Sequence, residues 1–288
     1  MRDILGSVVS IAVAIAFAWA GAQNGPTILG FPALLFIVSI GFLIHWVIFI
    51  PSYFMRTEKF YDITGTIAYL AMISTSVYVV ASTASTLALR SKVVIVMVVV
   101  WAMRLGLFLF IRVLKAGEDR RFEDAKNSFI VFLMFFNISG LWVFLTTANA
   151  LTLILNNSDL FGDLQFFVGL TIWIIGFSFE VVADEQKRRF RKKTENHGMF
   201  IVSGLWSISR HPNYFGEILI WTGMAIISLP VLSGWQYATL ISPVFVVLLL
   251  TRISGVNLLE ESADKKWGHL DNYQNYKKNT AVLVPFIF

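Results

Sequence analysis

Residues 4–55 read ILGSVVSIAVAIAFAWAGAQNGPTILGFPALLFIVSIGFLIHWVIFIPSYFM, without a single Asp, Glu, Lys or Arg. A helix that crosses a bilayer needs about 20 consecutive apolar residues. The stretch therefore holds two spans, with the Gly- and Pro-bearing QNGPTILG at 23–30 as the turn between them. No small-residue cleavage site interrupts it, so the first span is expected to be retained rather than removed as a signal peptide. Uncharged runs recur at Ile63–Leu89, Phe129–Ser158, Leu164–Phe179 and Ile218–Thr251. The composition agrees: 57% of the 288 residues are hydrophobic, 14% are charged and the mean hydropathy is +0.71. The expected fold is an all-α polytopic transmembrane bundle of seven to eight helices, with a cofactor cavity and a C-terminal tail on the cytoplasmic side.

Breaking the runs at their Gly, Pro, Asn and Ser clusters gives eight candidate helices: 5–22, 31–50, 63–87, 93–112, 129–151, 165–183, 213–230 and 236–252. The basic residues test this division. With the N-terminus inside, Arg2, Arg56, Lys59, the five between Arg112 and Lys126, the seven between Lys187 and Arg210, and the five from Arg252 onward all fall in the cytoplasm. Only Arg90 and Lys92 remain for the outer loops, and Arg104 lies within a span. Such asymmetry follows the positive-inside rule, with both termini cytoplasmic. The net charge of +5 then reports topology and gives no reason to expect nucleic acid. The absence of cysteine excludes disulfides and Cys-ligated metal centres. The four His are scattered and support no metal site, and lone His45 reads as a packed, hydrogen-bonded core residue. There is no GxGxxG, Walker A or GxSxG sequence, so any ligand is bound without a soluble nucleotide fold.

Some ionisable residues stand where lipid would be expected. Glu180, Asp184, Arg188 and Arg191 follow spacings of 4, 4 and 3, which set them along one side of a helix leaving span six. Glu180 ends an uncharged run and should face a polar cavity or a partner. Arg210, Asn213 and Glu217 repeat the pattern in SISRHPNYFGE, residues 207–217, where Pro212 suits the first turn of a helix. The free N–H groups of that turn, beside Arg210 and His211, make an anion site. Glu217 lies about one turn inside, paired with Arg188 or Arg191 or else lining a pocket for a charged cofactor. Arg104, in VVVWAMRLGLFLFIR (residues 98–112), is too deep to reach water and should point into the bundle.

Three blocks, IGFSFEVVADEQKRRFR (175–191), GLWSISRHPNYFGEI (204–218) and the tail ending YKKNTAVLVPFIF, resemble the steroid 5-alpha-reductase superfamily, most closely its microbial DUF1295 branch. The resemblance covers roughly residues 95–288. It implies N-terminal helices over 1–60 and a reductase-like membrane domain over 61–288, binding NADPH and reducing a carbon–carbon double bond conjugated to a carbonyl in a hydrophobic lipid from the bilayer. By position, Glu180 (an Asn in the animal steroid reductases), Asp184 and Arg191 match the cofactor-contacting helix, and Asn213 and Glu217 match the next one, beside Arg188, Arg210, His211 and Tyr214. In the tail, Tyr276 and Pro285 to Phe288 match, while the cofactor-contacting basic and His positions fall near Glu261, Lys265 and His269. The family's catalytic Tyr, three residues before a membrane Arg, is here Trp101, and an indole N–H donates a hydrogen bond without delivering a proton. The acidic partner is expected from Asp62, with Tyr61 beside it.

The RHPNY block and the paired Glu260 and Glu261 also resemble isoprenylcysteine and phospholipid methyltransferases, which bind S-adenosylmethionine. The six basic residues from Lys187 to Lys193, beside Arg210, suit a cofactor with a pyrophosphate and a further phosphate better. A bacterial inner membrane is the expected location.

Overall fold

The computed structural model describes residues 2–84, 86–119, 122–253 and 255–287. Arg120 and Arg121 of the proposed cytoplasmic set, and Phe288 of the tail, lie outside the described residues. The chain is an all-α polytopic bundle. Its long helices are α1 (Arg2–Gly21), α2 (Ala33–Phe54), α3 (Tyr61–Thr83), α4 (Leu89–Ala116), α5 (Phe129–Asn156), α6 (Leu164–Lys192) and α7 (Pro212–Ser228). An eighth apolar segment is composite: a 3-10 stretch over Gly234–Leu240, α8 (Ile241–Leu248) and a π-helical turn over Leu249–Ile253. Eight segments among the described residues are thus long and apolar enough to cross a membrane. Two short helices follow, α9 (Val256–Trp267) and α10 (Asp271–Asn279). Between α1 and α2 the chain turns through a two-residue hairpin, Thr27–Ile28 paired with Phe31–Pro32.

Contacts divide the chain into two compact units, the first comprising residues 1–166 and 228–242. In it α1, α2 and α3 all pack on α5. From Val143 to Leu155 every residue of α5 is buried. Small residues let the backbones approach: Gly140 of α5 sits against the Phe42 ring and Gly21 of α1 against Leu34 and Thr152. His45 is a core residue, with Nδ1 2.8 Å from the Gly41 carbonyl and Nε2 3.1 Å from Ser139 Oγ.

Two charged groups in this unit organise loops. Arg90, expected in an outer loop, belongs to the first turn of α4 and is buried. Its guanidinium pairs with Asp163, Nε donates to the Leu160 carbonyl at 2.8 Å, and the Phe166 ring lies beneath. Burial of a charge is tolerated because each face of the guanidinium meets a partner. Glu58, between α2 and α3, is buried and accepts from the Asp119 N–H at 2.8 Å and Lys126 Nζ at 3.2 Å. It gathers the mixed-charge loop after α4 over the cluster of Phe49, Phe122, Phe132 and Phe136. Desolvation opposes ionisation of Glu58, yet these donors hold it below the usual glutamate value.

The second unit comprises residues 167–227 and 243–288. Here α6 and α7 run antiparallel, joined by glycines seven residues apart on each helix: Gly169 faces Gly223, and Gly176 faces Gly216. A Cβ on Gly216 would stand 2.6 Å from the Glu180 nitrogen and 2.6 Å from the Gly176 oxygen. No Cβ fits at these four glycine positions, so the residues following Gly176 on α6 are held against the start of α7.

Candidate functional site

That close approach assembles a polar cluster in the second unit. Glu180, Asp184, His211 and Glu217 are all buried, from 2% exposure for Glu180 to 8% for Asp184. Asn213 Nδ2 donates to Asp184 Oδ1 at 3.2 Å, a link between α6 and α7 beside the glycine crossing. The α6–α7 loop folds over the end of α6. Trp206 is buried and donates Nε1–H to the Ala183 carbonyl at 3.0 Å, and Lys187 Nζ sits 4.3 Å from its ring centre.

The tail closes the other side of the loop. Arg210 N–H donates to the Ala281 carbonyl and Ser209 Oγ to that of Leu283, so the segment after α10 lies along the RHPNY block like an added strand. Tyr276 donates its hydroxyl to the Trp206 carbonyl at 2.7 Å. Burial, with the nearby Glu260 carboxylate, pushes that phenol well above its usual range, so it works as a neutral tether. Glu260 of α9 is the hub: Oε1 accepts from His211 Nε2 at 2.9 Å, and Oε2 faces Arg210 Nη2 at 3.3 Å and Lys277 Nζ at 3.6 Å. Lys277 bonds Asp264 at 2.6 Å in turn. Burial holds His211 below its ordinary value of 6.5 despite Glu260, and Tyr214 stacks on its ring with centroids 5.7 Å apart. Since a carboxylate only accepts, Nε2 carries the imidazole proton and Glu260 fixes the tautomer.

The sequence-derived residues distribute unevenly around this centre. Glu180, Asp184, Arg210, His211, Asn213, Tyr214, Glu217 and Tyr276 belong to it or border it. Arg188 and Arg191 are exposed, and Arg188 is bonded to Glu185 at 2.6 Å and 2.8 Å rather than to Glu217. Glu261, Lys265 and His269 lie on the exposed side of the tail, the first two paired with each other at 2.7 Å. Glu260, one position earlier, faces inward instead. In the first unit, Trp101 is buried edge-on to Tyr69, with centroids 5.3 Å apart. Arg104 is half-buried over Phe108. Asp62 occupies the first turn of α3, and Tyr61 commits its hydroxyl to the Phe135 carbonyl at 3.0 Å.

One group of the cluster is suited to an anionic ligand. Arg210 Nε is buried and has no hydrogen-bond partner among the described residues, while its other nitrogens make only long contacts of 3.3 Å. A buried N–H on a cation calls for an anionic acceptor. Beside it, buried carboxylates and the Asn213 amide can receive hydroxyl and amide hydrogens.

Comparisons with known proteins identify the family. A family described as "Protein of unknown function (DUF1295)" matches residues 48–280. The chain is 30% identical over 129 residues to 3-oxo-5-alpha-steroid 4-dehydrogenase 1 of Bos taurus, covering 45% of each chain. It is 25% identical over 126 residues to the Homo sapiens protein of the same name, covering 44% of this chain and 43% of that one. To steroid 5-alpha-reductase DET2 of Arabidopsis thaliana it is 26% identical over 127 residues, 43% of this chain and 42% of the other. The chain thus matches less than half the length of these relatives. No solved structure matches it.

Proposed function

From the premise that this chain belongs to the DUF1295 family of the steroid 5-alpha-reductase superfamily, we propose that it is an integral membrane reductase that uses NADPH to saturate a carbon–carbon double bond conjugated to a carbonyl in a steroid-like or other isoprenoid lipid. The observation that carries the reading is the buried Arg210 Nε–H, unpartnered among the described residues, three residues before the Asn213 that bonds the buried Asp184.

Arg210 and Lys187 would hold the cofactor's pyrophosphate, and Arg188 and Arg191, at the exposed end of α6, would add positive charge toward its further phosphate. Asn213, Asp184, Glu180 and Glu217 would receive the hydroxyl and amide hydrogens. When bound, NADPH supplies a hydride. The protein must then stabilise negative charge on the substrate oxygen with a donor and deliver a proton. Trp101 can donate a hydrogen bond but no proton, and the Tyr61 hydroxyl already serves α5, so the acid role falls to Asp62. Arg104 is proposed to keep that region of the first unit electropositive. The 61–288 segment is proposed as the catalytic part, and both termini are proposed to face the cytoplasm of a bacterial inner membrane.

A second reading, an S-adenosylmethionine-dependent methyltransferase, draws on one observation. The Glu260 carboxylate at the RHPNY block would suit a ligand bearing an ammonium. Calorimetric titration of the detergent-solubilised protein separates the two. Tight NADPH binding, weaker NADH binding, and loss of affinity in Asp184→Ala, Asn213→Ala and Arg191→Ala are expected. Binding of S-adenosylmethionine alone overturns the reductase, and NADPH affinity unchanged in all three variants removes the site.

A further inference from the structure

The core of the first unit holds a polar group that the proposed reaction does not use. Asn149 lies two turns before the end of α5 and is fully buried, yet neither its Oδ1 nor its Nδ2 meets a hydrogen-bond partner among the described residues. Buried side-chain polar atoms are paired in the large majority of cases, and each exception asks for a cause. In a membrane-crossing helix the cause is pressing, because lipid offers no substitute partner.

The polar groups one turn earlier are paired. Thr146, one turn earlier, directs its hydroxyl proton to the Trp142 or Val143 carbonyl at 2.8 Å or 3.1 Å. Its oxygen is therefore left to accept from Tyr69 Oη, 2.7 Å away. Ser242 Oγ bonds the Thr146 carbonyl at 2.6 Å, and Trp101 closes edge-on against the Tyr69 ring. Asn149 follows this chain by one helical turn, on the adjoining face of α5. With both amide atoms unpaired among the described residues, the ligand-free fold draws no hydrogen bond from this side chain, and a Leu of similar volume would lose none there.

A side-chain amide presents N–H groups to give and an oxygen that accepts. A ketone can meet only the first, whereas a hydroxyl accepts from Nδ2 and donates to Oδ1 at once. We propose that Asn149 is the binding residue for a hydroxyl group of the lipid ligand. The proposal rests on the reading of the protein as a lipid enone reductase and narrows its substrate class: the lipid carries a hydroxyl in addition to the reacting enone.

The test is equilibrium binding of three steroid enones that differ in one substituent: testosterone (hydroxyl), androst-4-ene-3,17-dione (carbonyl) and androst-4-en-3-one (neither). The expected result is that wild-type protein prefers the hydroxyl compound to the unsubstituted one by about tenfold, with the dione between. Asn149→Leu should bind all three alike and, free of ligand, melt at or above the wild-type temperature. Asn149→Ala, which cannot overpack, should repeat the loss of preference. Survival of the preference in both variants, absence of any preference in the wild type, or a lower melting temperature of ligand-free Asn149→Leu overturns the proposal, the last because it reveals a structural partner such as an internal water. NADPH binding measured on the same samples separates the failures. Wild-type protein that binds NADPH but shows no hydroxyl preference defeats this inference alone, and protein that binds no NADPH defeats the reductase reading as well.

Discussion

Substituting Gly216 by Ala tests whether the α6–α7 crossing builds the site. The added Cβ would lie 2.6 Å from both the Glu180 nitrogen and the Gly176 oxygen, where 3.4–4 Å is ordinary contact. Both neighbours are backbone, so no rotamer change relieves the overlap and the helices must part by roughly 1 Å locally. Overpacking of this kind costs about 1–3 kcal/mol, while replacing a helical Gly by Ala returns about 0.5–1 kcal/mol. A net loss of about 1–2 kcal/mol is expected, together with weaker NADPH binding, because the separation pulls Glu180 from the start of α7. Gly65→Ala is the matched control: its nearest neighbour, Val143 Cγ2, would be 3.6 Å from the new methyl, so only the helix-propensity gain should register. The assay is reversible denaturant unfolding in detergent followed by tryptophan fluorescence, with cofactor affinity by calorimetry. If Gly216→Ala and Gly65→Ala prove equally stable and bind NADPH equally, the crossing is looser than described and the argument fails.

Three further outcomes follow from the same geometry. Glu260→Gln keeps the shape but loses the charge facing Arg210, His211 and Lys277; the tail should loosen by about 1–2 kcal/mol, seen as faster proteolysis after α8, and unchanged cleavage would contradict its role as hub. Because burial holds His211 below 6.5 in the folded protein, the unfolded chain binds more protons between that depressed value and about 6.5, so stability is full above this window and falls as pH drops through it. His211→Gln should flatten that portion of the melting-temperature profile, and a profile identical to wild type would remove His211 as its source. Arg104→Leu should abolish turnover or else lower stability with residual activity; a fully active variant of normal stability would leave Arg104 without a role.

The eight spans were legible because their signal is local: about 20 apolar residues in sequence suffice, whatever they pack against. Arg90 was misplaced for the opposite reason. Nothing near it in sequence offers a counter-charge, and Asp163, which makes its burial tolerable, lies across the bundle from a distant loop. The α6 stripe follows the helical period: spacings of 4, 4 and 3 carry the row from the buried Glu180 and Asp184 to Arg188 and Arg191, which stand in solvent where the helix outruns its packing partner. The glycines 169, 176, 216 and 223 carried a readable pattern of sevens, which specifies a close helix pair only once the two helices are known to be neighbours. Glu260 shows the limit of matching by position. The resemblance points to Glu261, Lys265 and His269, whereas helical phase turns Glu260 inward, on the face of the buried Val256 four residues before it. Glu261 and Lys265, at the same spacing, satisfy each other on the outside. The register of α9 therefore selects Glu260 as the residue at the RHPNY block.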